Sequence, residues 1–204
     1  MRQPATVFIV DDDAAVRDSI AELAESVGLR AEAYGAASAF LDAFDPAHPG
    51  CLVLDVRMAD MSSLVLQQRL NQLQARIPVI VLTGHGDVQM AVEAMKAGAV
   101  DFLQKPYRDQ ALLDAINAAL GADAAVRHGN AAQARFERCM ATLTDREHMV
   151  LRLVLAGQTS KETAKALAIS PRTAEVHRRN LLRKFEVASV KGLIGLSAAF
   201  GSET

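Results

Sequence analysis

Three short segments carry the residues best suited to chemistry. VFIVDDD (Val7–Asp13), LVLDVR (Leu52–Arg57) and DFLQKP (Asp101–Pro106) each put charged residues at the end of an apolar, strand-like run. In a parallel α/β sheet the carboxyl ends of the strands form one rim, where ligands bind. Asp11, Asp12, Asp55 and Lys105 are therefore expected to converge there, although they lie far apart in sequence. Clustered carboxylates repel, each raising its neighbours' pKa, unless a cation offsets the charge. A hard divalent ion with oxygen ligands, Mg2+, is the expected cofactor. A single Asp pair is more commonly a helix N-cap, and Lys-Pro alone marks a strand exit. Only the three segments together, with Thr83 ending a fourth run, specify a site.

Holding these residues requires alternating elements. Strands are predicted at Thr6–Val10, Arg30–Tyr34, Cys51–Asp55, Pro78–Thr83 and Ala99–Gln104, and helices at Ala14–Val27, Ala36–Ala43, Ser62–Leu73, Val88–Ala97 and Arg108–Leu120. That alternation specifies an α/β fold, a doubly wound five-stranded parallel sheet over residues 1–121. Residues 122–140, rich in Ala and charge, read as a helical linker rather than a core element. From 141 to 204 the pattern is all-α, with four helices. The first opens around Asp145 and Glu147 and is closed by Gly157. The second follows Ser160, the third starts at the Ser170-Pro171 cap and runs to Phe185, and the last opens at Ser189.

Half of the 204 residues are hydrophobic, which places the chain among globular proteins. No apolar run approaches the roughly 18 residues of a membrane helix, so no membrane partner and a cytoplasmic location are expected. Cys51 and Cys139 make neither a disulfide framework nor a metal site. The net charge of -2 conceals an asymmetry: residues 1–121 carry -7 and the remainder +5. Such a split fits an acidic module joined to one that meets a polyanion.

Residues 1–121 resemble a two-component receiver domain, and TGHGDVQMAVEAMKAGAVDFLQKP is similar to the corresponding run of FixJ-type response regulators. The resemblance makes Asp55 the phosphoacceptor for a sensor histidine kinase. Asp12 and Asp55 would hold the metal through side chains, Arg57 through its backbone carbonyl and Asp11 mostly through water. Lys105 would pair with Asp55 and then with the phosphoryl oxygens, while Thr83 and Phe102 match the family's switch pair. Asp13 stays outside the metal set, at the start of the next helix. His85, beside the switch loop, is read as a surface residue. Two departures stand out: Ala59 replaces the usual Pro, and Ser63 the usual Gly, which would be strained if the position required positive φ.

LTDREHMVLRLVLAGQTSKETAKALAISPRTAEVHRRNLLRKFEV (Leu143–Val187) resembles the LuxR-type helix-turn-helix, with Ser160, Thr163 and Ala174 as departures. At 100° per residue, Ala174, His177, Arg178, Leu181 and Phe185 share one side of the third helix, and Arg172, Glu175, Val176, Arg179 and Arg183 the other. The first side can pack; the second has the spacing to enter a major groove. By resemblance Glu175, Val176 and Arg179 read bases, while Lys161, Arg172, Thr173, Arg178 and Lys184 contact phosphates.

Together these readings describe a non-enzymatic response regulator. It is phosphorylated on Asp55 by a sensor histidine kinase, dimerises on phosphorylation and binds promoter DNA to regulate transcription, with RNA polymerase as a further partner. One rival is a regulator of the same fold that acts without phosphate, supported only by Ala59 and Ser63. Another is a flavodoxin-like enzyme with an appended module, for which the chain offers no Gly-rich phosphate loop and no Ser/His/Asp set.

Overall fold

A computed structural model describes residues 4–84 and 88–201. The expectation for His85 lies outside the described residues. The chain divides into two compact units, Met1–Arg127 and His128–Thr204.

In the first unit, apolar runs too short for helices and rich in Val, Ile and Leu form β1 (Thr6–Val10), β3 (Gly50–Asp55) and β4 (Val79–Thr83), with β2 (Arg30–Tyr34) and β5 (Asp101–Gln104) at the edges. All pairings are parallel, in the order β2-β1-β3-β4-β5. Every residue of β1, β3 and β4 is buried, as a sheet covered on both faces demands. Alternate residues serve opposite layers. Phe8, Val10, Leu52, Leu54 and Val81 pack with Phe40 of α2 (Ala37–Ala43), Leu66 and Leu70 of α3 (Ser63–Gln72), and Ala94 of α4 (Val88–Lys96). Val7, Ile9, Val53, Ile80 and Leu82 pack with Ile20 and Ala24 of α1 (Ala14–Ser26), and with Leu112 and Ile116 of α5 (Asp109–Ala141).

The register sets the rim. Val10 pairs with Leu54, Leu54 with Val81 and Thr83 with Gln104. Asp11, Asp55, Thr83 and Lys105 consequently emerge together at the carboxyl edge. At the opposite edge Gly50 admits no side chain, because an added Cβ would stand 2.1 Å from the Thr6 carbonyl oxygen. Its amide donates to Asp123 at 3.0 Å. Arg127 brackets Asp123 with two bonds of 2.8 Å. It also donates to the carbonyls of Pro46, Ala47 and His48.

These contacts alter the expected linker. Residues 122–140 are helical, but within α5 rather than as a separate segment. Asp123 is buried in the first unit, and Phe136 lies in the core of the second. Frequent Ala between Asp123 and Phe136 supports helix, and neither Gly121 nor Gly129 breaks it.

The second unit contains α6 (Asp145–Leu155), α7 (Ser160–Leu167), α8 (Pro171–Lys184) and α9 (Val190–Phe200). Thr144–Glu147 and Thr159–Glu162 form capping boxes, so Thr159 rather than Ser160 caps α7. Ser170 caps α8, with Pro171 in its first turn as expected. Val150, Leu151, Val154, Leu181, Phe185 and Leu193 close the core around Phe136.

Candidate functional site

Lys105 is the centre of the acidic rim. Its ammonium donates to Asp55 Oδ1 at 2.7 Å and to Asp11 Oδ2 at 2.8 Å. The second bond was not foreseen for Asp11, which was expected to act mainly through water. The amide of Arg57 donates to Asp55 Oδ2 at 2.9 Å, and that of Asp13 to Asp11 Oδ1 at 2.9 Å. Asp13 itself caps α1 by accepting from the Ala15 amide, which accounts for a third carboxylate that serves the helix. Arg17, which spacing did not single out, donates to the Asp11 carbonyl at 2.7 Å and so fixes the β1–α1 turn.

Burial raises the pKa of Asp55, assisted by the charge of Asp11 and opposed by Lys105. Burial also works against the Lys105 ammonium, but its bonds to Asp11 and Asp55 outweigh that effect and hold its pKa above the ordinary lysine value. Carboxylate oxygens of Asp11, Asp12 and Asp55 lie within 4.8 Å of one another, with Asp12 exposed and the other two buried. An all-oxygen, anionic donor set of this kind fits a hard divalent cation. Alongside is a cavity of about 260 Å³ lined by Asp55, Val56, Arg57, Gly84 and Lys105.

Thr83 is buried, and its hydroxyl donates to the Gly84 carbonyl at 3.3 Å. Phe102 is 43% exposed, so its ring is not a core aromatic. Ser63 is the first residue of α3, helical and buried, and is absent from the positive-φ positions. The strain considered for it does not arise.

On α8 the helical-wheel division holds. Ala174, Leu181 and Phe185 are buried and His177 and Arg178 half-buried, whereas Arg172, Glu175, Val176, Arg179 and Arg183 are exposed. Residues 7–117 match the response regulator receiver domain family, and residues 141–196 match the bacterial regulatory proteins of the luxR family. The chain belongs to the two-component response regulators with a LuxR-type DNA-binding domain. It is 43% identical over 190 residues to the response regulator protein TodT of Pseudomonas putida, covering 93% of this chain and 84% of TodT. It is 44% identical over 200 residues to the transcriptional regulatory protein FixJ of Rhizobium meliloti, covering 96% of each. Among solved structures, the response regulator StyR is 42% identical with a TM-score of 0.83, covering 96% of this chain and 98% of StyR.

Within this response regulator, two residues expected at DNA phosphates have work inside the domain. Arg178 donates to the Gln158 carbonyl at 2.6 Å. Lys184 donates to Glu147 at 2.7 Å and to the Thr142 carbonyl at 3.0 Å. With its ammonium engaged on two acceptors, Lys184 serves as a tie between α8 and the start of α6. The other expected DNA contacts, Lys161, Arg172, Thr173, Glu175, Val176 and Arg179, are all exposed.

Proposed function

We propose that Asp55 accepts a phosphoryl group from a sensor histidine kinase and that the phosphorylated chain binds promoter DNA. The observation that carries this reading is the shared Lys105 ammonium, which draws Asp55 and Asp11 together at the ends of three different strands. An Asp55 oxygen attacks phosphorus while the bond from phosphorus to the kinase's imidazole nitrogen breaks. The imidazole leaves with the electron pair and takes a proton. A carboxylate is a weak nucleophile, so catalysis lies in charge neutralisation and in-line placement. Bound Mg2+ would neutralise charge on the transferring phosphoryl oxygens. Asp12 and Asp55 would hold it through carboxylates, Arg57 through its backbone carbonyl and Asp11 from just outside.

Lys105 exchanges its bond to Asp55 for one to the phosphoryl oxygens. The Thr83 hydroxyl, now on Gly84, turns to the same group, and the Phe102 ring moves inward to fill the space that Thr83 leaves. Differential bonding of this kind is what allows phosphate to favour one conformer. In the second unit, Glu175, Val176 and Arg179 face base edges, with Lys161, Arg172 and Thr173 on the flanking phosphates.

Intact mass after incubation with a small acyl phosphate and Mg2+ tests the assignment. Incorporation of one phosphate is expected, lost in Asp55→Asn, whose amide cannot form the acyl phosphate. Full labelling of Asp55→Asn would place the phosphoacceptor elsewhere. A folded wild-type chain that takes no phosphate would favour the phosphate-independent rival.

A further inference from the structure

The loop from Asp55 to α3 has lost the proline that stiffens it in the resembled family, yet the structure supplies another restraint. Asp60, exposed on this loop, accepts from the Ser38 amide at 3.0 Å, the Ser38 hydroxyl at 3.0 Å and the Ala37 amide at 3.4 Å. These donors belong to the first turn of α2, whose N-cap residue Ala36 provides no side-chain bond. Asp60 thus replaces the missing cap from across the fold. Helix amides at an N-terminus lack intrahelical partners and favour a carboxylate. The same three bonds tether the loop at a point three residues beyond Arg57. At its near end the loop is held by the Val56 amide on the Leu82 carbonyl and the Arg57 amide on Asp55, and at its far end by Ser62, which caps α3. Met58 and Met61 are only partly buried against the core.

We infer that Asp60 is a positioning residue for the phosphoacceptor loop, holding the Arg57 carbonyl and the Asp55 carboxylate in the geometry that receives Mg2+. It touches neither metal nor phosphoryl group and acts through the backbone between them. This inference rests on the proposed metal set but not on phosphotransfer itself. Groups that orient metal ligands without touching the metal act on metal affinity.

The test uses the full-length chain with Asp60→Ala, Asp60→Asn and Ser38→Ala. Mg2+ alone is titrated by calorimetry and by amide chemical shifts, and phosphate incorporation from a small acyl phosphate is then measured against Mg2+ concentration. Asp60→Ala is expected to weaken Mg2+ binding by about tenfold, the low end of what losing a group that orients metal ligands costs. Its rate at saturating Mg2+ should stay within about twofold of wild type, since the reacting groups are untouched. Asp60→Asn keeps one acceptor oxygen and should recover part of the affinity, while Ser38→Ala, which removes one of the three donors, should show a smaller loss. Unchanged Mg2+ affinity in a folded Asp60→Ala protein overturns the inference. So does a fall in the saturated rate with an unshifted Mg2+ dependence. If wild type binds Mg2+ but takes no phosphate, the proposed function fails while the titrations still decide the role of Asp60.

Discussion

Two charged residues that look alike in sequence have opposite fates at the residue scale. Arg179 stands exposed on α8, whereas Lys184, one turn and a half further on, is bound to Glu147 and the Thr142 carbonyl. The pair has a consequence in acid. The Lys184 hydrogen bond, followed by the Thr144 amide and hydroxyl, lowers the Glu147 pKa to about 2 from 4.5, with burial opposing. A carboxyl depressed in the folded state stabilises above its unfolded pKa and loses that contribution as pH falls through the folded value. Glu147 should therefore stabilise the second unit fully above about pH 5, with progressive loss toward pH 2, by roughly 1 to 2 kcal/mol once solvent screening at the part-exposed Lys184 is allowed for. Urea unfolding followed through the methyl resonances of Leu151 and Leu181 reads this, and Glu147→Gln should flatten the dependence. An equally steep pH slope in that variant would assign the effect elsewhere. The acidic rim was legible because its residues end strands, and the end of an apolar run is a local pattern. The tie between Lys184 and Glu147 was not legible because the two lie 37 residues apart, beyond any spacing rule. Asp60 and Asp123 escaped notice for the same reason, with partners at Ser38 and Gly50, whereas Arg17 lies near Asp11 in sequence but bonds a backbone carbonyl, which no side-chain pattern marks.

Element boundaries followed the sequence closely wherever a turn residue or cap punctuated them, as at Gly28, Ser62 and Ser170-Pro171. They failed at α5, where Ala-rich, weakly amphipathic sequence marks helix but cannot reveal which side chains find a partner. Asp123 and Phe136 each lie among exposed neighbours, and their burial comes from other elements. On α8 the face was fully legible, because a single periodicity sorts packing from exposure. Its function can be separated from plain electrostatics by comparing Arg179→Ala with Lys161→Ala on the full-length chain, using a duplex selected from a random pool and a scrambled control. Arg179→Ala should cost about 1 to 3 kcal/mol on the selected duplex and little on the control. Lys161, at the start of α7, should on removal weaken both duplexes and reduce the salt slope by about one. Equal losses on both duplexes for Arg179→Ala would make it a phosphate contact and remove α8 from the major groove.

On the scale of the whole molecule, charge and apolar exposure point the two units at different partners. Residues 1–121 carry a net charge of -7, so a polyanion is repelled there and favoured only by the basic remainder. The first unit instead exposes Val92 and Met95 on α4, Val100 just before β5 and Phe102 within it. β5 is an edge strand of the sheet. Exposed apolar side chains at a sheet edge mark a surface that a partner can cover. The expectation drawn from the resemblance to FixJ-type regulators is that this partner is a second copy, engaged after phosphorylation. Phe102, the proposed switch aromatic, also lies on this surface, so turning its ring inward would reshape the surface while Asp55 is phosphorylated. A hundredfold gain in dimer affinity requires that the phosphorylated conformer be favoured in the dimer by about 2.7 kcal/mol. Sedimentation velocity of the full-length chain, with and without a small acyl phosphate and Mg2+, should show conversion from monomer to dimer. Val92→Lys and Met95→Lys should incorporate phosphate normally yet remain monomeric, because a lysine on each copy adds charge that must be desolvated at the contact. A chain that stays monomeric at full phosphorylation would remove dimerisation from the mechanism, and variants that dimerise as wild type does would move the contact away from α4.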